Sequence, residues 1–235
     1  MRGRSQLFTS RLVSSAAGGE QPHVEADLRQ AILTGDEPPG TPIPIDGVAT
    51  FFGVSPIPVR EALKTLLGEG LVEHRPHIGY SVAKLTFHEF RELYDVRQAL
   101  ESSALRAATL RATPADDDLA RAIHADFGAA IEQQDEKAYH VASRQFHIAM
   151  IGPSGLHRLL RMYESAWNMT EPARPMSRVH GPERAAFHAD HARMLEAFVA
   201  RDADALVAES DRHYERLKLA IGRFADDPEC FLDGT

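Results

Sequence analysis

Cysteine is nearly missing from this chain. Cys230 is the only one among 235 residues, so a disulfide framework and a cysteine-based zinc site are both excluded. Long apolar runs are missing as well: none approaches the roughly 20 residues that a membrane helix needs. The first stretch, MRGRSQLFTSRLVSSAAGGE, holds Arg2, Arg4 and Arg11 but no apolar segment of the kind a secretory signal requires. Transit peptides share its Arg- and Ser-rich, acid-poor bias, but a flexible arm over residues 1–20 is the simpler reading. A cytoplasmic protein with no membrane partner is the expectation. Positive charge is in deficit, the net charge being −8. Phosphate contacts need local Lys and Arg. Nucleic-acid binding over the whole surface is therefore disfavoured, while a small reading head on an acidic body is not.

What is present is helical spacing. Val24, Leu28, Ala31 and Ile32 share one face of a helix that Gly35 can end. Residues 36–44, DEPPGTPIP, hold four prolines and read as loop. A short helix over Asp46–Phe52 follows, broken by Gly53. The stretch VSPIPVREALKTLLGEGLVEHRPHIGYSV, residues 54–82, is the most informative. Ser55 suits an N-cap, which puts Pro56 and Pro58 in the first turn. The N–H groups there have no intrahelical partner, so proline loses little and its fixed φ suits a helix start. Val59, Ala62, Leu63, Leu66 and Leu67 form a buried stripe, with Arg60 and Lys64 one turn apart and off it. Gly68 and Gly70 close the helix. Two strand-like runs, LVEHRP and GYSV, flank a turn at His77 and Ile78, in which Gly79 can take positive φ. Helix, short helix, glycine turn, helix and β-hairpin is the order of a winged helix-turn-helix.

Beyond Lys84 the spacing is helical almost to the end. Thr86–Glu89 is a capping box, opening a helix that carries Phe90, Leu93, Tyr94, Arg97, Leu100 and Leu105. Further helices start at Thr113–Pro114 and Asp135, follow the break at residues 152–155, and end the chain over about 183–200 and 203–224. Strand signal outside the hairpin is nearly absent. The expected fold is mostly α: a winged helix-turn-helix with a small β-hairpin wing, then an all-α bundle of six to seven helices. The expected divisions are the arm, a head over 21–85, a helical domain over 86–225 and a tail over 226–235.

Residues 54–82 resemble the reading head of GntR-type bacterial transcription regulators, whose usual form runs V-S-R-T-P-V-R-E-A-L, then L-x-x-E-G-L-V, then a glycine-containing wing. LYDVRQALES (93–102), FHIAM (146–150), DHARMLEAF (190–198) and RHYERL (212–217) resemble segments of the all-helical FCD-type effector domain of the FadR subfamily. The resemblance implies a cytoplasmic homodimer on a palindromic double-stranded operator, a repressor rather than an activator. A small, often carboxylic, effector would release or rearrange it. It also implies DNA contacts from Ser55, Ile57, Arg60, Lys64, His77 and Gly79. Two positions depart from the family: Pro56 and Asp46 stand where relatives carry DNA-contacting arginines. Residues 20–85 hold five Lys/Arg and nine Asp/Glu, a net of −4. Operator preference should differ accordingly.

Each candidate has a plainer alternative. Arg60 can be a solvated side chain paired with a local acid, and Gly79 can serve turn geometry alone. His191 and His213 lie on apolar stripes, where a histidine is usually a satisfied core residue. With His147, however, three histidines on three helices can converge on zinc, nickel, iron or manganese. In metal-binding relatives an Asp four residues before the first His completes the set; here that position is Ser143. Arg97 lies on the inward side of its helix and needs an anionic partner, either an effector carboxylate held bidentately or Glu101 one turn away. A metal-free effector pocket with weakened DNA binding is the alternative function. A metal-dependent hydrolase would need a general base, and no acid directly follows these histidines.

Overall fold

The structure, a computed structural model, describes residues 8–10, 12–14, 23–34, 37–174, 176 and 179–232. Gly35, Arg2, Arg4 and Arg11 lie outside them. In chain order the elements are α1 (Val24–Leu33), β1 (Pro42–Ile43), α2 (Ile45–Phe52), α3 (Pro56–Gly68), β2 (Val72–Arg75), β3 (Gly79–Val82), α4 (Phe87–Thr109), α5 (Pro114–Glu132), α6 (Glu136–Ile151), α7 (His157–Thr170), α8 (Pro182–Val199) and α9 (Ala203–Gly222). No described helix is long and apolar enough to cross a membrane. The chain forms two compact units. One comprises Met1–Phe90, Trp167–Arg174 and Ala225–Thr235, and the other comprises Arg91–Ala166 and Pro175–Phe224.

In the first unit, Leu28, Ile32, Val48, Val59, Leu63, Leu66, Leu71 and Val82 build the core. Gly53 ends α2 in the left-handed region, φ 65°, a conformation glycine adopts without a Cβ penalty. That reversal sets α3 off from α2. Ser55 is the N-cap of α3 in an extended conformation, with no side-chain hydrogen bond, and proline occupies the first turn. Leu67 is 41% exposed and falls outside the expected stripe. Eight residues on from Val59 it has rotated about 80° away from the buried line. Arg29 of α1 bonds Glu69 at the end of α3 at 2.6 and 3.0 Å. The sheet is three-stranded and antiparallel, in the order β1-β3-β2.

Strand β1 corrects the reading of residues 36–44 as loop: Pro42 pairs with Ser81 and Ile43 with Tyr80. Proline survives there because β1 is an edge strand, where a missing N–H removes no ladder bond if it faces outward. In the wing, Arg75 pairs with Gly79 across a three-residue turn. His77 as well as Gly79 takes positive φ, 64° and 105°. Phe8 and Leu12, within the stretch expected as a flexible arm, are buried in this unit's core. Apolar side chains at that spacing gain more from covering the core than from water.

The second unit is a helical bundle. Asp116 accepts from the Thr113 backbone N and hydroxyl at the start of α5, both 2.7 Å. Asp135 and Asp202 cap α6 and α9 by accepting from Ala138 N and Ala205 N. Each side-chain cap satisfies donors that the first helical turn leaves open. Phe127, Phe146, Met150, Phe187, Met194, Phe198, Leu206 and Ile221 are buried between the helices. At the end of the first unit's leading segment the capping box expected at Thr86 is present, with Glu89 Oε2 accepting from Thr86 N at 2.8 Å and Thr86 Oγ1 accepting from Glu89 N at 3.2 Å.

Candidate functional site

Two groups of residues carry chemistry. On the first unit, Ser55, Ile57, Arg60 and Lys64 are all exposed along the start and outer side of α3, and His77 is exposed at the wing turn beside half-buried Gly79. Arg60 makes no ion pair among the described residues, whereas Lys64 bonds Glu61 at 2.9 Å. Ile57 is 69% exposed, an apolar side chain left in water at the helix end that a winged head presents to a groove. A solvent-facing pair such as Lys64–Glu61 is weak and gives way to a phosphate readily.

The second group lies inside the helical unit. Helices α6, α8 and α9 bring His147, His191 and His213 together, each at most 2% exposed. One ligand nitrogen of each lies within 4.8 Å of the others. The Nε2 atoms of His147 and His191 are 3.3 Å apart. Nitrogens bound to zinc at ~2.1 Å in tetrahedral array sit about 3.4 Å from one another. The far side of each ring matters equally. His147 Nδ1 donates to Glu101 Oε1 at 2.8 Å, which leaves its Nε2 lone pair turned to the cluster. His213 Nδ1 faces Asp190 Oδ2 at 3.7 Å, beyond hydrogen-bond reach. His191 Nδ1 is buried without a partner. A carboxylate hydrogen-bonded behind a ring orients the imidazole for a metal, as Glu101 does for His147, and the three convergent imidazoles fit a divalent ion.

Electrostatics disfavour the charged form of His191 and of His213. Burial, then the neighbouring histidines, pushes His191 well below its ordinary value. Burial also lowers His213, against the opposing pull of Asp190. Glu101 is the hub. Burial would raise its pKa, but His147 and hydrogen bonds from Tyr163 (2.6 Å) and Tyr214 (2.7 Å) outweigh that and hold it at about 2. Burial likewise pushes up Asp190, and His213 and Arg216 bring it down to about 2. Both tyrosines are raised by burial and by Glu101, so they remain donors.

Arg97 is 3% exposed and lies over the Tyr94 ring at 4.6 Å and the Tyr163 ring at 5.9 Å. Glu101, which the sequence offered only as a companion of Arg97, takes close hydrogen bonds from His147, Tyr163 and Tyr214, and a longer one from Ser210 Oγ at 3.5 Å. Ser143 is half-buried one turn before His147. Sequence reasoning missed Glu101 and Asp190 as supports of the histidines. The available signal was an acid on an apolar stripe, between Arg97 and Ala104–Leu105, and an acid directly before His191.

A head with a three-stranded wing sheet, followed by a helical bundle with a polar centre, is a winged helix-turn-helix architecture joined to an all-helical unit. The family model for bacterial regulatory proteins of the gntR family matches residues 21–82, and that for the FCD domain matches residues 92–216, more than half the chain. The chain belongs to the gntR family, a family of DNA-binding transcriptional regulators rather than enzymes, and carries an FCD domain. It is 32% identical over 137 residues to a probable D-xylose utilization operon transcriptional repressor of Paenarthrobacter nicotinovorans, covering 58% of each chain. It is 29% identical over 167 residues to the gluconate operon transcriptional repressor of Bacillus subtilis (strain 168), covering 71% of this chain and 65% of the other. The chain thus spans less than two thirds of the length of these two relatives. Its fold resembles that of E. coli McbR/YncC with a TM-score of 0.77 at 22% identity, over 85% of this chain and 95% of that one.

Proposed function

We propose that this protein is a transcriptional repressor of the FadR subfamily. It binds a palindromic operator as a homodimer and is controlled by a small carboxylate effector in its helical unit. The observation that carries this reading is the buried cluster of His147, His191 and His213, with Glu101 and Asp190 behind two of the rings. A protein interior that only needed packing would have little use for three convergent imidazoles. They would hold a divalent ion, which supplies an open coordination position for an acidic ligand. Ser143 in place of a carboxylate leaves that ion more of its charge. Arg97 would engage the effector's acidic group. On the head, Ser55, Ile57, Arg60 and Lys64 would meet the major groove and backbone, with His77 and Gly79 reaching from the wing. Two relatives named as repressors support the sign of regulation.

The test joins both halves. Protein purified without chelator is assayed for metal by elemental analysis, and for binding to duplexes selected from a random pool. The reading expects near one ion per chain and operator binding that a panel of organic acids weakens only while metal is present. Acid-responsive binding in fully chelated protein would favour the metal-free pocket instead, and no selected duplex at all would end the regulator reading.

A further inference from the structure

Arg184 stands in the first turn of α8 and is only 6% exposed. Its guanidinium lies 4.6 Å from the centre of the Tyr139 ring. Its Nε and Nη2 atoms are buried with no hydrogen-bond partner, and among the described residues no carboxylate pairs with it. The nearby acids are engaged elsewhere. Glu183 bonds Arg223, Glu136 bonds His180 at 3.2 Å, and Asp190 bonds Arg193 and Arg216. Tyr139 cannot serve as counter-ion, because burial pushes it up to about 12, against the pull of Arg184. Arginine does not shed its proton. A buried cation without counter-charge is unfavourable, and an aromatic face offsets only part of the cost.

The geometry says what is missing. Nε and Nη2 are adjacent N–H groups on one edge of the guanidinium, the edge that receives a carboxylate through two parallel hydrogen bonds. The helix start adds to this. Gly181 caps α8 without any side-chain hydrogen bond, and the positive end of a helix favours an anion. We infer that Arg184 and the start of α8 form an oxyanion site, for a carboxylate or a phosphate, separate from the three-histidine cluster. Arg184 and His191 share a face of α8 seven residues apart, about 10 Å along the axis. The site stands apart from the metal reading because none of its atoms is a histidine ligand.

The experiment uses the full chain in low-salt buffer. Acetate, straight-chain dicarboxylates of increasing length and inorganic phosphate are titrated by calorimetry and by thermal melting, once with added zinc and once with chelator. At least one oxyanion should bind and raise the melting temperature under both conditions, and preference within the panel names carboxylate or phosphate. Arg184→Gln should bind it at least about tenfold more weakly. Arg184→Met should melt higher than the parent without anion, because an uncompensated cation is gone, and should lose the anion-dependent rise. Arg184→Lys keeps the charge without the fork and should bind more weakly than the parent. The inference is overturned if no oxyanion binds, or if Arg184→Gln or Arg184→Met responds as the parent does. It also fails if Arg184→Met melts lower than the parent in anion-free buffer. Binding lost with chelator but unaffected at Arg184→Gln puts the anion at the histidines; this overturns the inference and leaves the metal reading standing.

Discussion

Glu101 is the residue whose removal should do most harm per atom. Its carboxylate accepts from Tyr163 at 2.6 Å, Tyr214 at 2.7 Å and His147 Nδ1 at 2.8 Å, and the residue is 0% exposed. Glu101→Ala removes the acceptor of these three close buried hydrogen bonds, and of a longer one from Ser210 Oγ at 3.5 Å. At about 1–3 kcal/mol each, with some relaxation, the loss is on the order of 3–6 kcal/mol. That rivals the whole stability of a typical domain, about 5–15 kcal/mol. Glu101→Gln keeps the shape and one acceptor oxygen but turns an NH₂ toward a donor, and should cost about 2–3 kcal/mol. Calorimetry and urea titrations on metal-free protein measure this, with separate transitions expected for two compact units. The functional arm is metal affinity. Without the carboxylate behind His147, zinc should bind roughly 10–100-fold more weakly in Glu101→Gln. Tyr214→Phe removes one hydrogen bond, costs about 1 kcal/mol, and should leave zinc affinity near that of the parent. A Glu101→Gln protein as stable as the parent, binding zinc equally well, would refute the view that Glu101 organises this centre.

Arg60→Ala should weaken operator binding by about 1–3 kcal/mol if the guanidinium holds a guanine bidentately; a mobility shift matching the parent's would remove it from the interface. Phe8→Ala should destabilise the head by about 3–5 kcal/mol, because the side chain is fully buried in its core; an unchanged melt would mean the arm adds nothing to that core. Ser143→Asp should tighten metal binding by placing a hard anion one turn before His147, and weaken the response to acidic effectors that would use the same position. Elemental analysis and calorimetry separate those two outcomes, and unchanged metal affinity would exclude residue 143 from the coordination sphere.

Local rules made much of this molecule legible. The prolines at 56 and 58 marked a helix start because that turn tolerates missing N–H groups. Glu89 three residues after Thr86 marked another. The three histidines stand out among the chain's twelve because the segments that carry them resemble those of the FCD domain, and each falls on a different helix. What stayed hidden depends on partners distant in sequence. A two-residue strand flanked by prolines has no periodicity to read, and β1 exists only because β3 offers a ladder. Glu101 is understood only once Tyr163 and Tyr214, 62 and 113 residues away, are seen to converge on it. Trp167–Arg174 and Ala225–Thr235 belong with the head although helical domain sequence surrounds the first of them. Their ties, such as Lys84 to the Pro228 carbonyl at 2.6 Å and Phe90 to Phe231 at 5.1 Å, link positions no short pattern connects.

The acidic head carries a last prediction. Phosphate-driven affinity depends on cations free to meet DNA, and this head has few. Arg29 is held by Glu25 and Glu69, Lys64 by Glu61, Arg75 by Glu73, and Lys84 by the Pro228 carbonyl. Arg60 and Lys84 make no ion pair among the described residues, and of the two Lys84 is tied to a backbone carbonyl. Lys64 and Arg75 sit in exposed pairs that a phosphate can replace at little cost. The described head should therefore neutralise about one to three phosphates per protomer, and the log–log salt slope should be about −1 to −3 per protomer. Anything steeper must come from Arg2, Arg4 and Arg11. Fluorescence anisotropy over a salt series, on the parent and on a variant with those three arginines changed to serine, separates the contributions. A steep slope that survives the triple change would mean that cations outside both sets meet the DNA, and the charge argument for this head would fall.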